Sequence, residues 1–182
     1  MLYNDISCTL DLYAARFPDE TRDVATLRQL IAEGGNVSSR HEFRGHITSG
    51  AIMVNEAGKL LMIHHRVLER WLFPGGHLES TDATLRDAAI REAEEETGIP
   101  PQKLHSFEGW PQGTPIYFDA HVIPENTANN EPEHRHFGFV YLFRVLPQQI
   151  TLQLEEVTNW AWGETKDAPE VIGARLRRLG LS

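Results

Sequence analysis

One stretch limits the fold more than any other: "ATLRDAAIREAEEETG", residues 83–98. Its spacing predicts a helix over residues 83–97, stopped by Gly98 as a left-handed C-terminal residue. Leu85, Ala88 and Ala89 share a face with Glu92, and Glu95 and Glu96 follow Glu92 at i+3 and i+4. The inward stripe therefore begins apolar and ends acidic. A simple surface helix would keep its acids on the far side. Like charges at this spacing repel by roughly a few tenths of a kcal/mol per pair. Crowding them on the buried side makes sense only if the helix end borders a cleft that takes a cation.

The gross composition agrees. The 182 residues carry a net charge of −9, so phosphate backbones would be repelled and nucleic-acid binding is excluded as a function class. An acidic chain can still bind a phosphorylated small molecule when metal ions bridge the two. Cys8 is the lone cysteine, which rules out an intramolecular disulfide and fits a reducing, cytoplasmic setting. The opening "MLYNDISCTLDLYAARFPDE" has early acids and no long apolar run, so it reads as neither signal peptide nor membrane span.

The remaining periodicities predict a mixed fold. Ile6, Leu10, Tyr13 and Phe17 recur at helical spacing, and "PDETRDVATLRQLIAEGG" has the acidic start and Gly-Gly stop of a second helix. From "HITSGAIMVNEAGKLLMIHH" onward the period changes, and two β-rich runs flank a hairpin turn at Asn55–Gly58. "WLFPGGHLES" reads as a strand end followed by a Pro/Gly loop. "PIYFDAHVI", "RHFGFVYLFRVL" and "TNWAWGE" read as strands, and "APEVIGARLRRLGL" as a C-terminal helix. Strands and helices alternate without βαβ regularity, which predicts an α+β fold: a mixed sheet with helices packed on it. We divide the chain into an N-terminal helical extension, residues 1–44, and a main domain, residues 45–182.

Upstream of the acidic helix, Gly75-Gly76 lets the backbone approach a ligand closely, and Glu79 stands a short loop from the helix. Together these pieces resemble the Nudix family, whose signature is G-x5-E-x7-R-E-U-x-E-E-x-G-U, with U bulky and apolar. "REAEEETGI", Arg91 to Ile99, matches the second half position for position, with Ala93 a small occupant of the first U. The first half departs: the expected Gly falls on His77 and the expected acid on Ala83, while Gly76 and Asp82 sit one residue earlier. One extra residue between Gly76 and Arg91 repairs the match and makes Asp82 the usual acid, read here as the helix N-cap. The resemblance implies an α-β-α sandwich with a mixed sheet, and a bacterial subgroup with an N-terminal helical extension.

The resemblance also implies an activity: hydrolysis of a diphosphate linkage in a nucleoside diphosphate-X or nucleoside triphosphate. Glu92, Glu95 and Glu96 would hold Mg²⁺ or Mn²⁺, with Glu79 and Gly76 completing the metal set and Arg91 orienting a glutamate. Gly75, Gly76, His77, Arg66, His134 and His136 are the candidate substrate contacts. Glu131 and Glu133 are candidate bases from a distant loop. A histidine zinc site is disfavoured, since no cysteine accompanies the nine histidines and no H-E-x-x-H pattern appears. The alternative is a non-catalytic nucleotide-binding or sensor module, which would usually have lost box glutamates. A Nudix-fold isomerase would need a cysteine acid in the cleft, and Cys8 lies far from the box. The partner is a small phosphorylated molecule, with no membrane and no nucleic acid. A homodimer through the N-terminal helices stays open, as does their use as a cover over the cleft.

Overall fold

The computed structural model describes residues 2–127 and 130–182. Four helices surround one eight-stranded mixed sheet: α1 (Leu2–Arg16), α2 (Thr21–Ala32), α3 (Leu85–Thr97) and α4 (Glu170–Arg178). The strands are β1 (His46–Val54), β2 (Leu60–His65), β3 (Arg70–Leu72), β4 (Gly75–His77), β5 (Leu104–Ser106), β6 (Tyr117–Ile123), β7 (His134–Val145) and β8 (Val157–Gly163). The central pair, β1 and β7, is parallel and runs in register from His46↔His136 to Val54↔Arg144. All the other named pairings are antiparallel.

Alternation along β1 sets the layers. Ile47, Ala51 and Met53 point into a core shared with Leu85, Ala88 and Ala89 of α3 and with α1 and α2. Ile52 and Val54 point the other way, onto Ile172 and Leu176 of α4. The expected α-β-α sandwich is thus observed. The N-terminal helices share the main core rather than a core of their own: Ile6, Leu10, Tyr13, Val24 and Leu27 are fully buried in it. Arg175 of α4 reaches through the core to the Tyr13 hydroxyl and to Glu20. Among the described residues no helix is long and apolar enough to cross a membrane.

The turn between β1 and β2 forms where the sequence placed it. The Asn55 side chain accepts from the Ala57 and Lys59 N–H groups, and Gly58 takes a positive φ of 75°. Two readings need correction. The Gly75-Gly76 segment is not a loop but the start of β4, paired antiparallel to β1 with Gly50 opposite Gly75. A Cβ on Gly75 would stand 2.6 Å from the Gly50 Cα, so this pairing is open only to glycine. Nor does Asp82 cap α3. Thr84 does, its hydroxyl accepting the Asp87 N–H at 3.0 Å, while Asp5 of α1 accepts the Leu85 N–H at 2.8 Å. A hydroxyl two residues nearer the helix meets the free N–H groups of the first turn, and this releases Asp82 for another partner.

Candidate active site

The last two turns of α3 lie against β4. A Cβ on Gly76 would stand 2.6 Å from the Glu92 Oε1, so only glycine lets the carboxylate press against the backbone here. The neighbouring Gly75 N–H donates to the Glu96 Oε2 at 2.9 Å. Ser49 on β1 donates to the Leu85 carbonyl at 2.7 Å and fixes α3 over the central strands. The result is a cleft of about 620 Å³. Gly75, Gly76, His77, Glu79, Arg91, Glu92, Glu95 and Glu96 all line it, so the structure brings together most of the residues singled out from the sequence.

Arg91 organises the carboxylates. Its Nε and Nη2 grip both oxygens of the buried Asp82, each at 3.0 Å. Nη1 donates to Glu92 at 2.9 Å and to Glu95 at 3.0 Å, and Nη2 also donates to the His77 carbonyl at 2.8 Å. A planar guanidinium can satisfy this fork and a lysine cannot. Asp82 also accepts the Glu79 N–H at 2.7 Å, which folds the β4–α3 loop onto the helix. The one-residue departure from the family signature is therefore absorbed in the loop, and the acid at 82 serves Arg91 instead of the helix end.

Burial works against charge at the glutamates. Glu96 is only 3% exposed, and burial pushes its carboxyl up to about 8, aided by the nearby Glu92 and Glu156 and opposed by the Gly75 N–H. Burial likewise pushes Glu92 up to about 7, against the pull of Arg91. Buried Glu96, half-buried Glu92 and exposed Glu95 form an oxygen-rich donor set, and the glycine cradle at residue 76 keeps Glu92 fixed within it. That set fits a hard divalent cation, for which carboxylate oxygen is the preferred ligand.

Other candidates fall elsewhere. Arg66 turns away to donate to the Leu154 carbonyl at 2.6 Å and does not line the cleft. His134 and His136 do not line it either; they join a histidine cluster described below. Of the two loop glutamates, Glu131 lines the cleft and pairs with Arg40 at 3.2 Å, whereas Glu133 does not reach it. The segment between them and β6 includes Ala128 and Asn129, which lie outside the described residues. Cys8 is exposed on α1 and not part of the cleft. Sequence reasoning missed Arg40 and Glu156, both of which line it, as does His65 at the end of β2. The one usable signal was the acidic pair Glu155-Glu156 just before the "VTNWAW" strand.

Residues 44–179 match the family model for the NUDIX domain. The chain belongs to the Nudix family. A probable DHNTP pyrophosphohydrolase of Lactococcus lactis subsp. cremoris (strain MG1363) is 34% identical over 138 residues, covering 73% of this chain and 76% of the relative. An RNA pyrophosphohydrolase of Zymomonas mobilis is 32% identical over 113 residues, covering 61% of this chain and 72% of the relative. In structure, a C. elegans Ap4A hydrolase superposes with a TM-score of 0.55 at 20% identity, over 74% of this chain and 94% of that one. Dihydroneopterin triphosphate pyrophosphohydrolase from E. coli gives 0.54 at 14% identity, over 72% and 92%. These two likenesses support the Nudix fold. As a Nudix hydrolase the chain acts on diphosphate bonds, and hydrolases of this family generally use divalent metals.

Proposed function

We propose that this Nudix hydrolase cleaves the diphosphate linkage of a nucleoside triphosphate or nucleoside diphosphate-X, using Mg²⁺ or Mn²⁺ held by Glu92, Glu95 and Glu96. The observation that carries the reading is the joint placement of those three glutamates in one cleft, with Glu92 packed against Gly76. The L. lactis and Z. mobilis relatives, both pyrophosphohydrolases by name, support the reaction, hydrolysis of a pyrophosphate bond.

When bound, the divalent cations supply positive charge opposite the phosphate oxygens and acidify the attacking water. The chain's own residues do the rest. Arg91 holds Glu92 and Glu95 in place through its grip on Asp82, so the ligand oxygens are set before substrate arrives. Gly76 lets the Glu92 carboxylate press against the β4 backbone, and the Gly75 N–H holds Glu96. Three carboxylates around the cleft can accept the water's proton: Glu92, Glu131 and Glu156. Arg40, tied to Glu131, offers a cation to the phosphates from the opposite wall.

The test is phosphate release, coupled to pyrophosphatase and phosphatase, over a panel of nucleoside triphosphates, dinucleotides, nucleotide sugars and ADP-ribose. Each compound is run with Mg²⁺, with Mn²⁺ and with chelator. Chelator-sensitive turnover of one class is the expected result. Binding of panel compounds without turnover would shift the reading to a nucleotide sensor. Glu131→Gln and Glu156→Gln, each profiled against pH, then identify the base: the variant that loses the acidic limb of the profile held it.

A further inference from the structure

On the sheet face turned away from α3, five histidines gather. His46 of β1 is the cross-strand partner of His136 of β7, and His121 of β6 is the partner of His136 on the other side. His77 of β4 pairs with Thr48, two residues along β1 from His46, and so shares that face. One ring nitrogen from each of His46, His77 and His136 lies within 4.8 Å of the other two. His134 joins them, its Nε2 standing 3.1 Å from the Nε2 of His136.

Two details point to a ligand. His46 is 1% exposed, and its Nε2 is buried without a hydrogen-bond partner. Its Nδ1 faces only the Glu42 carbonyl, at 3.3 Å, so the proton sits on Nδ1 and Nε2 carries a bare lone pair. His134 is oriented in the same way: Nδ1 donates to the Pro132 carbonyl at 2.8 Å, which leaves its Nε2 the acceptor turned toward the His136 Nε2. A backbone carbonyl that fixes the tautomer and aims the other nitrogen inward is the usual support of a metal-binding histidine. A buried, unpartnered acceptor is unfavourable unless something meets it.

We propose that His46, His77 and His136 form a binding site for one borderline transition-metal ion, Zn²⁺ by donor chemistry, with the His134 Nε2 at hand for a fourth position. Three imidazoles and no hard oxygen ligand suit Zn²⁺ and disfavour Mg²⁺. Ring nitrogens around a tetrahedral zinc stand roughly 3.4 Å apart, given Zn–N bonds of about 2.0–2.1 Å. The three ring nitrogens, now within 4.8 Å of one another, would draw closer on binding. The protonation states already agree: burial first, then the neighbouring histidines, keep His77 down at about 4 and His136 at about 3, so both rings are neutral. The site adjoins the glutamate cleft through His77 of β4, which lines the cleft: its carbonyl is held by Arg91 while its ring packs against His136.

The test uses whole protein stripped by chelator and titrated with Co²⁺ in excess Mg²⁺, which occupies hard oxygen sites. We expect intense visible bands of low-coordinate, nitrogen-ligated Co²⁺, saturating at one ion per chain and displaced by Zn²⁺. The bands should vanish in His46→Ala and His136→Ala and persist in Glu95→Gln. Absence of the bands, or their survival in the histidine variants, overturns the proposal. So does loss only in the glutamate variant. Should the histidine variants not fold, wild-type protein with ¹⁵N-labelled imidazoles decides the matter. Zn²⁺ must then shift the ring nitrogens of His46, His77 and His136, and unmoved resonances contradict the site.

Discussion

Two clusters of like ionisable groups flank one short strand. On the α3 side of β4, buried Glu96 stands with half-buried Glu92, and on the other side buried His46 stands with half-buried His77 and His136. In both, loss of water disfavours the charged form, so the carboxyls move up and the imidazoles move down. In both, the shift favours the uncharged form. The difference lies in anchoring. The glutamates sit one turn apart on a single helix, Glu92 held by Arg91 and Glu96 by the Gly75 N–H, whereas the histidines come from three strands and meet only through register. Helical spacing thus makes one cluster a local property of the chain, and sheet pairing makes the other a property of the fold.

The largest effects should separate the two. Glu96→Gln or Glu95→Gln should lower turnover by orders of magnitude with the far-UV spectrum unchanged. Without metal, Glu96→Gln should also raise the melting temperature, because it removes a buried ionisable carboxyl; a fall would contradict the burial argument. Next comes Gly76→Ala, whose Cβ would displace the Glu92 carboxylate and should cost on the order of 10²-fold in kcat/KM. Arg91→Lys loses the fork to Asp82 and should destabilise by about 1–3 kcal/mol in denaturant titrations, with a weaker response to Mg²⁺.

The comparison also fixes a pH dependence. Glu92 and Glu96 have folded-state values raised to about 7 and about 8 from 4.5, so the stability they give is fully present below 4.5 and is lost as pH rises through 7 and 8. The histidines have lowered values, so their share is fully present above 6.5 and is lost as pH falls toward about 4 and 3. Between 4.5 and 6.5 the two trends oppose each other. Above 6.5 only the carboxyls titrate, so the melting temperature of metal-free protein should fall toward pH 8. Mg²⁺ should restore it more at pH 8 than at pH 6, since cations need the deprotonated ligands. The smallest effect is expected of Thr84→Ala, about 1 kcal/mol from the lost cap, with metal affinity unchanged.

What the sequence disclosed follows the same divide between local and long-range order. The helix read over 83–97 and observed over Leu85–Thr97, the Asn55–Gly58 turn and the acid face of Glu92, Glu95 and Glu96 were readable because each depends on neighbours within a few residues. The strand nature of Gly75-Gly76 was hidden, because it needs Gly50 opposite, a partner 25 residues away in the register Gly50↔Gly75. Asp82 was misread as a cap because its true partner, Arg91, sits a helix turn and a loop beyond. Arg40, His65 and Glu156 reach the cleft from three other loops and strand ends, and only tertiary structure gathers them. Arg66 had the right charge in the right neighbourhood, yet a carbonyl on the 154 loop claims it.

The central claim is that the Glu92–Glu96 pair stores protons until a divalent cation takes their place. The most direct measurement is calorimetric titration of metal-free protein with Mn²⁺ between about pH 7 and about pH 8, where the two carboxyls titrate, in buffers of different ionisation enthalpy. Our account predicts proton release on binding, with both the release and the affinity sharply reduced in Glu96→Gln. Binding of undiminished affinity in Glu96→Gln, or binding without proton release in wild type, would contradict it.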